Sequence, residues 1–211
     1  MPGIVNFETF LLTGILLNLT PGNDTIFILS SSIAHGKKAG IMSVLGISTG
    51  SLAHTTLAAC GLSVIIAQSI LLFNIVKYTG VAYLVYMGIK MFIDRSRLNF
   101  NTSIASTGAN FRKTYRDAVI TNVLNPKVAM FFIAFLPQFT DPTYQHSLLP
   151  FLILGVTFTM TGTVWCSVLA VFSAEIFSGL RKHPLFSSHL NKACGIVLIA
   201  LGIKVAMTNA K

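Results

Sequence analysis

Along the chain, long apolar runs alternate with short polar and basic ones. Runs long enough to span a bilayer lie at roughly 6 to 33, 41 to 66, 70 to 93, 117 to 138, 147 to 174 and 191 to 208. Each can supply the ~20 residues a helix needs to cross about 30 Å of hydrocarbon. No Asp, Glu, Lys or Arg occurs from Ala39 to Val76 or from Pro142 to Ala174. The pattern predicts an all-α polytopic membrane protein with six transmembrane helices. The second and third are joined by the tight "AQS", whereas "DRSRLNFNTSIASTGANFRKTYRD" between the third and fourth is long and polar. That segment divides the chain into two halves.

The halves resemble one another. "NLTPGND" in the first run has a counterpart in "NVLNPKV" in the fourth, and "GISTGS" in the second has one in "GVTFTMTGT" in the fifth. A three-helix unit repeated once must enter the membrane in opposite directions, so the expectation is two inverted three-helix repeats, an arrangement common in secondary transporters. The chain then reads as one transmembrane domain over 1–211: repeat one about 1–94, a cytoplasmic loop about 95–116 and repeat two about 117–211.

Composition strengthens the membrane reading. Hydrophobic residues make up 53% of the 211 residues and charged ones only 10%, with a mean hydropathy of +0.73, far below the roughly 25% charge of a soluble domain. A net charge of +9 raises the question of a nucleic-acid partner. The basic residues instead sit in short clusters between apolar runs: Lys37 and Lys38; Arg95, Arg97, Arg112, Lys113 and Arg116; Arg181, Lys182 and Lys192. These odd-numbered loops are expected in the cytoplasm, with both termini outside. Cys60, Cys166 and Cys194 lie in apolar runs without C-x-x-C spacing, so neither a disulfide framework nor a metal site is indicated and all three read as packing residues.

Candidate chemistry concentrates where polar groups enter the apolar runs. Proline lacks a backbone donor and disrupts the preceding turn, so Pro21 and Pro126 leave carbonyls upstream and N–H groups downstream in need of partners. A pair of such breaks at matching places points to a substrate site near the midplane. Asp24 lies one turn past Pro21, where a carboxylate costs about 3 kcal/mol even on the lenient insertion scale; it reads as a proton-coupling or ammonium-pairing group, or else as half of a fixed ion pair. Lys127, next to Pro126, reads as a partner for Asp24 or a substrate carboxylate, or as a side chain reaching back towards the cytoplasmic side. Ser48, Ser51 and Thr55, with His54 at their shoulder, line a polar path or pack helices through the G-x-x-x-G of "GISTG". That stretch also matches G-x-S-x-G, but His54 lies six residues from Ser48 and well around the helix, so no Ser–His pair forms and no enzyme is expected.

Several segments resemble the lysine exporter (LysE/RhtB-type) family of bacterial amino-acid exporters: "LTPGNDTIFIL", "HGKKAGIMSVLGISTGSLAH", "VKYTGVAYLVYMGIK", "NVLNPKVAMFFIAFLPQF" and "LNKACGIVLIALGIK". The resemblance covers nearly the whole chain in order. It implies an inner-membrane, multi-pass exporter of an amino acid or close derivative, coupled to proton entry. The family's P-G-P-D motif falls on Pro21, Gly22, Asn23 and Asp24, and its N-P-K motif on Asn125, Pro126 and Lys127. Asn23 departs from the usual second proline, and Ser51 stands where many members carry a polar or acidic residue. Those eight residues are the expected substrate site, with Asp24 the expected proton carrier. Expected partners are an amino acid, protons, the lipid bilayer and, as an open alternative, a second copy in a homodimer. No cofactor is expected. A membrane scaffold without transport, or a cation exporter of similar architecture, are the competing readings.

Overall fold

The computed structural model describes residues 3–68, 70–93, 110–141, 144, 147–173 and parts of 192–207. Among them the elements are α1 (Phe7–Leu19), α2 (Asn23–Gln68), α3 (Ile70–Ile93), α4 (Phe111–Val123), α5 (Pro126–Ala134), a 3₁₀ turn (Leu136–Phe139) and α6 (Leu149–Val171). The described residues of the last apolar run are helical; its remainder, Cys194 and the loops at 94–109 and 174–191 lie outside the described residues. The only extended pairing described is a single bridge between Ile4 and Thr140, which ties the start of the chain to the segment after the 3₁₀ turn.

The runs that hold Pro21 and Pro126 are both broken. The run expected as one helix over 6 to 33 is α1 followed by the start of α2, with Thr20 in an extended conformation (φ −66°, ψ 118°) between them. The run expected over 117 to 138 begins earlier, at Phe111, because its basic first turns continue the helix into the aqueous side. It bends by 48° between α4 and α5. Neither proline sits in a helix interior. Pro126 is the first residue of α5, a position where its missing N–H costs nothing and its fixed φ favours the turn. Pro21 precedes the Gly22 carbonyl that accepts the first bond of α2, from Ile26 N–H at 3.0 Å.

A third discontinuity lies in α2 at Gly36, with φ 79° and ψ 177°, a left-handed conformation that glycine adopts without a Cβ penalty. There the chain turns back on itself: a β-carbon built on Gly40 would lie 3.2 Å from that of Ser32, a contact that residues eight apart on a straight helix cannot make. The basic "HGKK" is therefore a hairpin tip. Its C-terminal arm, 37–68, is the long central helix, packed between α4 and α6.

Small residues let that arm approach both neighbours. Gly46 and Gly50 face α4, where a β-carbon on Gly46 would meet Ala118 at 2.6 Å and one on Gly50 would meet Asn122 Cβ at 2.8 Å. On the other flank, Ser48 Oγ shares a hydrogen bond with Thr163 Oγ1 at 2.7 Å, Ser51 Oγ one with Thr159 Oγ1 at 2.8 Å, and Thr55 rests on Gly155. The two readings of "GISTGS" thus apply to different faces: the glycines pack α4, joined there by Thr49 on Tyr115 Oη at 3.0 Å, and the Ser48 and Ser51 hydroxyls face α6. Gly46→Leu should force the α2–α4 contact apart at a cost of about 1–3 kcal/mol, read as a lower thermal midpoint in detergent, whereas Ile41→Leu on the exposed face should leave it unchanged.

Leu12, Leu45, Leu52, Leu57, Val156, Met160 and Val164 are all exposed, a distribution suited to acyl chains on the outside. Cys60 joins this outer surface instead of the packing expected of it. Two helices are long and apolar enough to cross a membrane among the described residues, Asn23–Gly61 and Leu149–Val171, or three if the bent α4–α5 pair counts as one span. Inside, two apolar clusters form. One is aromatic, built from Phe10, Phe131, Phe132, Phe135, Phe139 and Phe158, with Phe131 stacked on Phe158 at 4.3 Å between centroids. The other gathers Ile28, Leu29, Val44, Ile47, Ala118, Cys166 and Leu169. The polar groups lie where the two clusters meet.

Candidate functional site

Each proline removes the N–H that would have served the carbonyl four residues upstream. For Pro21 that carbonyl belongs to Leu17; for Pro126 it belongs to Asn122. Thr20 N–H partly compensates in the first break, reaching Leu17 O at 3.1 Å, and Asn125 N–H in the second, reaching Asn122 O at 2.9 Å. Each carbonyl also receives a side chain from the other half of the molecule. Lys127 Nζ donates to Leu17 O at 3.2 Å and to Thr20 O at 2.8 Å, while His54 Nε2 reaches Asn122 O at 3.2 Å. A carbonyl can only accept, so His54 carries its proton on Nε2.

Lys127 is 8% exposed, and its position follows from two features. Its main chain lies in the first turn of α5, where Asn125 Oδ1 accepts from Lys127 N–H at 3.1 Å and caps the helix. A cation is unfavourable there, at the positive end of the helix dipole. Its stem carries the ammonium to the C-terminal end of α1, where free carbonyls and the negative end of the dipole favour it. The stem passes beside Gly22, where a β-carbon would make ordinary van der Waals contact with Nζ at 3.5 Å.

Asp24 occupies the complementary place, the first turn of α2, where helix N–H groups favour a carboxylate. Asn122 Nδ2 donates to its Oδ2 at 2.9 Å. Its Oδ1 is buried with no hydrogen-bond partner among the described residues, as are Asn122 Oδ1 and Asn125 Nδ2. Unsatisfied buried polar atoms are rare and costly, and two of these residues, Asp24 and Asn122, line one cavity.

That cavity is lined by Asn18, Asp24, Thr25, Ser48, Ser51, Asn122, Lys127, Thr159, Gly162, Thr163 and Cys166, with Ile47, Val128 and Phe158 as its apolar walls. Its volume is about 40 Å³, room for roughly two or three waters and too little for an amino acid.

Of the residues expected at the site, Asp24, Ser51 and Lys127 line the cavity. Gly22, Asn125 and Pro126 shape the breaks around it, Pro21 forms the first break, and Asn23 is exposed at the start of α2. Asn18, Asn122, Thr159 and Thr163 were not singled out, and His54 was placed at the shoulder of the polar stripe without its partner, the Asn122 carbonyl. One signal was available for Asn122: it stands four residues before a proline inside an apolar run, so its carbonyl must lose its helical partner. The others depend on contacts across more than a hundred residues, such as Asn18 Nδ2 donating to Thr161 Oγ1 at 3.1 Å. Ser48 and His54 bond to different partners, which leaves no nucleophile–base pair between them.

Comparison with known proteins bears on what this cavity serves. The model of the LysE type translocators matches residues 15–209. The chain belongs to that family. This translocator is 34% identical over 197 residues to the homoserine/homoserine lactone efflux protein of Salmonella typhimurium, covering 93% of this chain and 94% of that one. It is also 31% identical over 201 residues to an uncharacterized membrane protein of Vibrio cholerae (95% and 96% covered). A third relative, the uncharacterized membrane protein YrhP of Bacillus subtilis, is 30% identical over 200 residues (92% and 94% covered). No solved structure matches. The location expected from the sequence, a multi-pass protein of the inner membrane, stands with this membership.

Proposed function

We propose that this translocator exports a small amino acid or close derivative from the cytoplasm in exchange for protons. The observation that carries the reading is Asp24: a carboxylate at a half-helix N-terminus, with one buried oxygen unpartnered among the described residues, opening on a cavity that Lys127 also lines. A zwitterion needs an anion for its ammonium and a cation or helix N–H groups for its carboxylate, and this cavity brings both together. Serine and threonine hydroxyls between them suit a small polar side chain, and the homoserine efflux relative supports a substrate of that size.

In the proposed cycle the substrate ammonium enters from the cytoplasm to deprotonated Asp24, and its carboxylate takes the Lys127 ammonium from the α1 carbonyls or meets the N–H groups that begin α5. Protonation of Asp24 from outside then releases the ammonium. One charge moving through 100 mV supplies about 2.3 kcal/mol, enough to sustain a roughly fiftyfold gradient. The reading includes six spans in two inverted repeats, supported by the two proline breaks and by their reciprocal capping.

Everted membrane vesicles, energised to acidify their lumen, test this with radiolabelled L-homoserine, L-threonine, L-serine and L-lysine. At least one should accumulate tenfold or more above vesicles lacking the protein and be released by a protonophore. Accumulation of none would sink the export reading; accumulation that ignores the protonophore would remove the proton exchange alone.

A further inference from the structure

The orphaned carbonyl of Asn122 belongs to the same residue whose amide holds Asp24. Its carbonyl accepts from His54 Nε2 at 3.2 Å, and its Nδ2 donates to Asp24 Oδ2 at 2.9 Å. Asn122 is 2% exposed and closes the last turn of α4. Because Pro126 withholds a helical N–H, nothing in α5 fixes that carbonyl; the contacts given for it are Asn125 N–H and His54. His54 comes from α2, is itself 8% exposed, and is seated by a stack on Phe132 with ring centroids 5.7 Å apart. One turn before His54 on the same face of α2, Gly50 also meets Asn122: a β-carbon there would lie 2.7 Å from Asn122 Oδ1, so the side chain has little room to swing unless the backbone moves.

We propose that His54 is a positioning residue of the transport site: by donating to the carbonyl that Pro126 leaves without a helical partner, it fixes the end of α4 and thereby aims the Asn122 amide at Asp24. The role requires an N–H donor at Nε2 and no change of protonation. It mirrors Lys127, which serves the carbonyl left by Pro21, so each break is held by a side chain of the opposite half. This deepens the proposed function and rests on it for the substrate readout alone. Without the donor, the α4 end relaxes, the amide leaves the carboxylate, and the ammonium subsite loses its alignment. The effect falls on substrate affinity first.

Two substitutions separate the donor from the ring. His54→Gln keeps an N–H donor near Nε2 but loses the ring that stacks on Phe132. His54→Phe keeps the ring and loses the donor. In everted vesicles with L-homoserine, or whichever panel amino acid the parent moves best, His54→Gln should hold KM within about threefold of the parent. His54→Phe should raise it tenfold or more, with Vmax per inserted protein within twofold. The reverse order, Phe tolerated and Gln impaired, would make His54 a packing residue and overturn the proposal. Equal failure of both, as a proton-carrying imidazole demands, also overturns it.

Amide hydrogen exchange of the purified protein in detergent gives a readout independent of transport. Residues 120–125 should exchange at least tenfold faster in His54→Phe than in the parent, and at parental rate in His54→Gln. Unchanged exchange in His54→Phe overturns the proposal even if no amino acid is moved, whereas a parent that moves none of the panel defeats only the function proposed above.

Discussion

Lys127→Met is expected to abolish export and to destabilise the protein, and Lys127→Arg to restore stability in part without restoring transport. The methionine preserves the volume of the stem but leaves the carbonyls of Leu17 and Thr20, which Lys127 Nζ meets at 3.2 and 2.8 Å, without their charged donor in a site shielded from water. Each buried acceptor stranded in this way costs about 1–3 kcal/mol, so the pair together should lower stability by roughly 2–5 kcal/mol. Removing the ammonium also takes away the cation that faces the cavity alongside Asp24, and a buried charge stripped of compensation costs a further few kcal/mol. Arginine supplies donors for the carbonyls, but its planar fork is wider than the ammonium that Leu17 O and Thr20 O meet at 3.2 and 2.8 Å and does not reproduce that geometry. Thermal unfolding in detergent should read Met far below Arg, with Arg below the parent. A Lys127→Met protein as stable as the parent would mean that the ammonium does not hold the first break.

The places where the apolar pattern is interrupted were legible in the sequence: both proline breaks, the acid one turn past the first, the lysine beside the second and the asparagine that caps α5. Each is local, set by a missing N–H, a burial cost or a capping side chain, and local physics reads directly from residue order. What was not legible is who serves whom across the break. His54 meets Asn122 O, and Lys127 meets Leu17 O; neither pairing follows from periodicity, because both join separate halves of the chain. The lysine was expected against a carboxylate; its ammonium also meets main-chain carbonyls, which no local pattern announced. One of them, Leu17 O, is the acceptor that Pro21 deprives of its helical donor. The hydroxyl rungs of Ser48 and Ser51 with Thr163 and Thr159 were half-read for the same reason, since one side of each rung was visible as a stripe and its partner was not.

Asp24→Asn should leave a folded, inserted protein that no longer exports. The amide has the shape of the carboxylate, and its oxygen can accept from Asn122 Nδ2 as Asp24 Oδ2 does at 2.9 Å. Its NH₂ then takes the place of Oδ1, a buried atom with no partner among the described residues, in a cavity that holds acceptors such as the Asn122 side chain. The substitution therefore removes a buried charge, worth about 3 kcal/mol of insertion cost, and offers a neutral hydrogen bond in exchange. The thermal midpoint should equal or exceed that of the parent. Transport requires what the amide lacks: a negative charge to meet an ammonium, and a site that can take and release a proton. In energised everted vesicles the initial rate should fall at least a hundredfold, and counterflow of labelled against unlabelled substrate, which needs binding but no net proton movement, should fall with it. If counterflow persisted while energised uptake was lost, Asp24 would carry the proton without binding the ammonium. If energised uptake itself persisted, the carboxylate would have no part in the cycle, and its position at the second half-helix would be explained by the helix dipole and Asn122 alone.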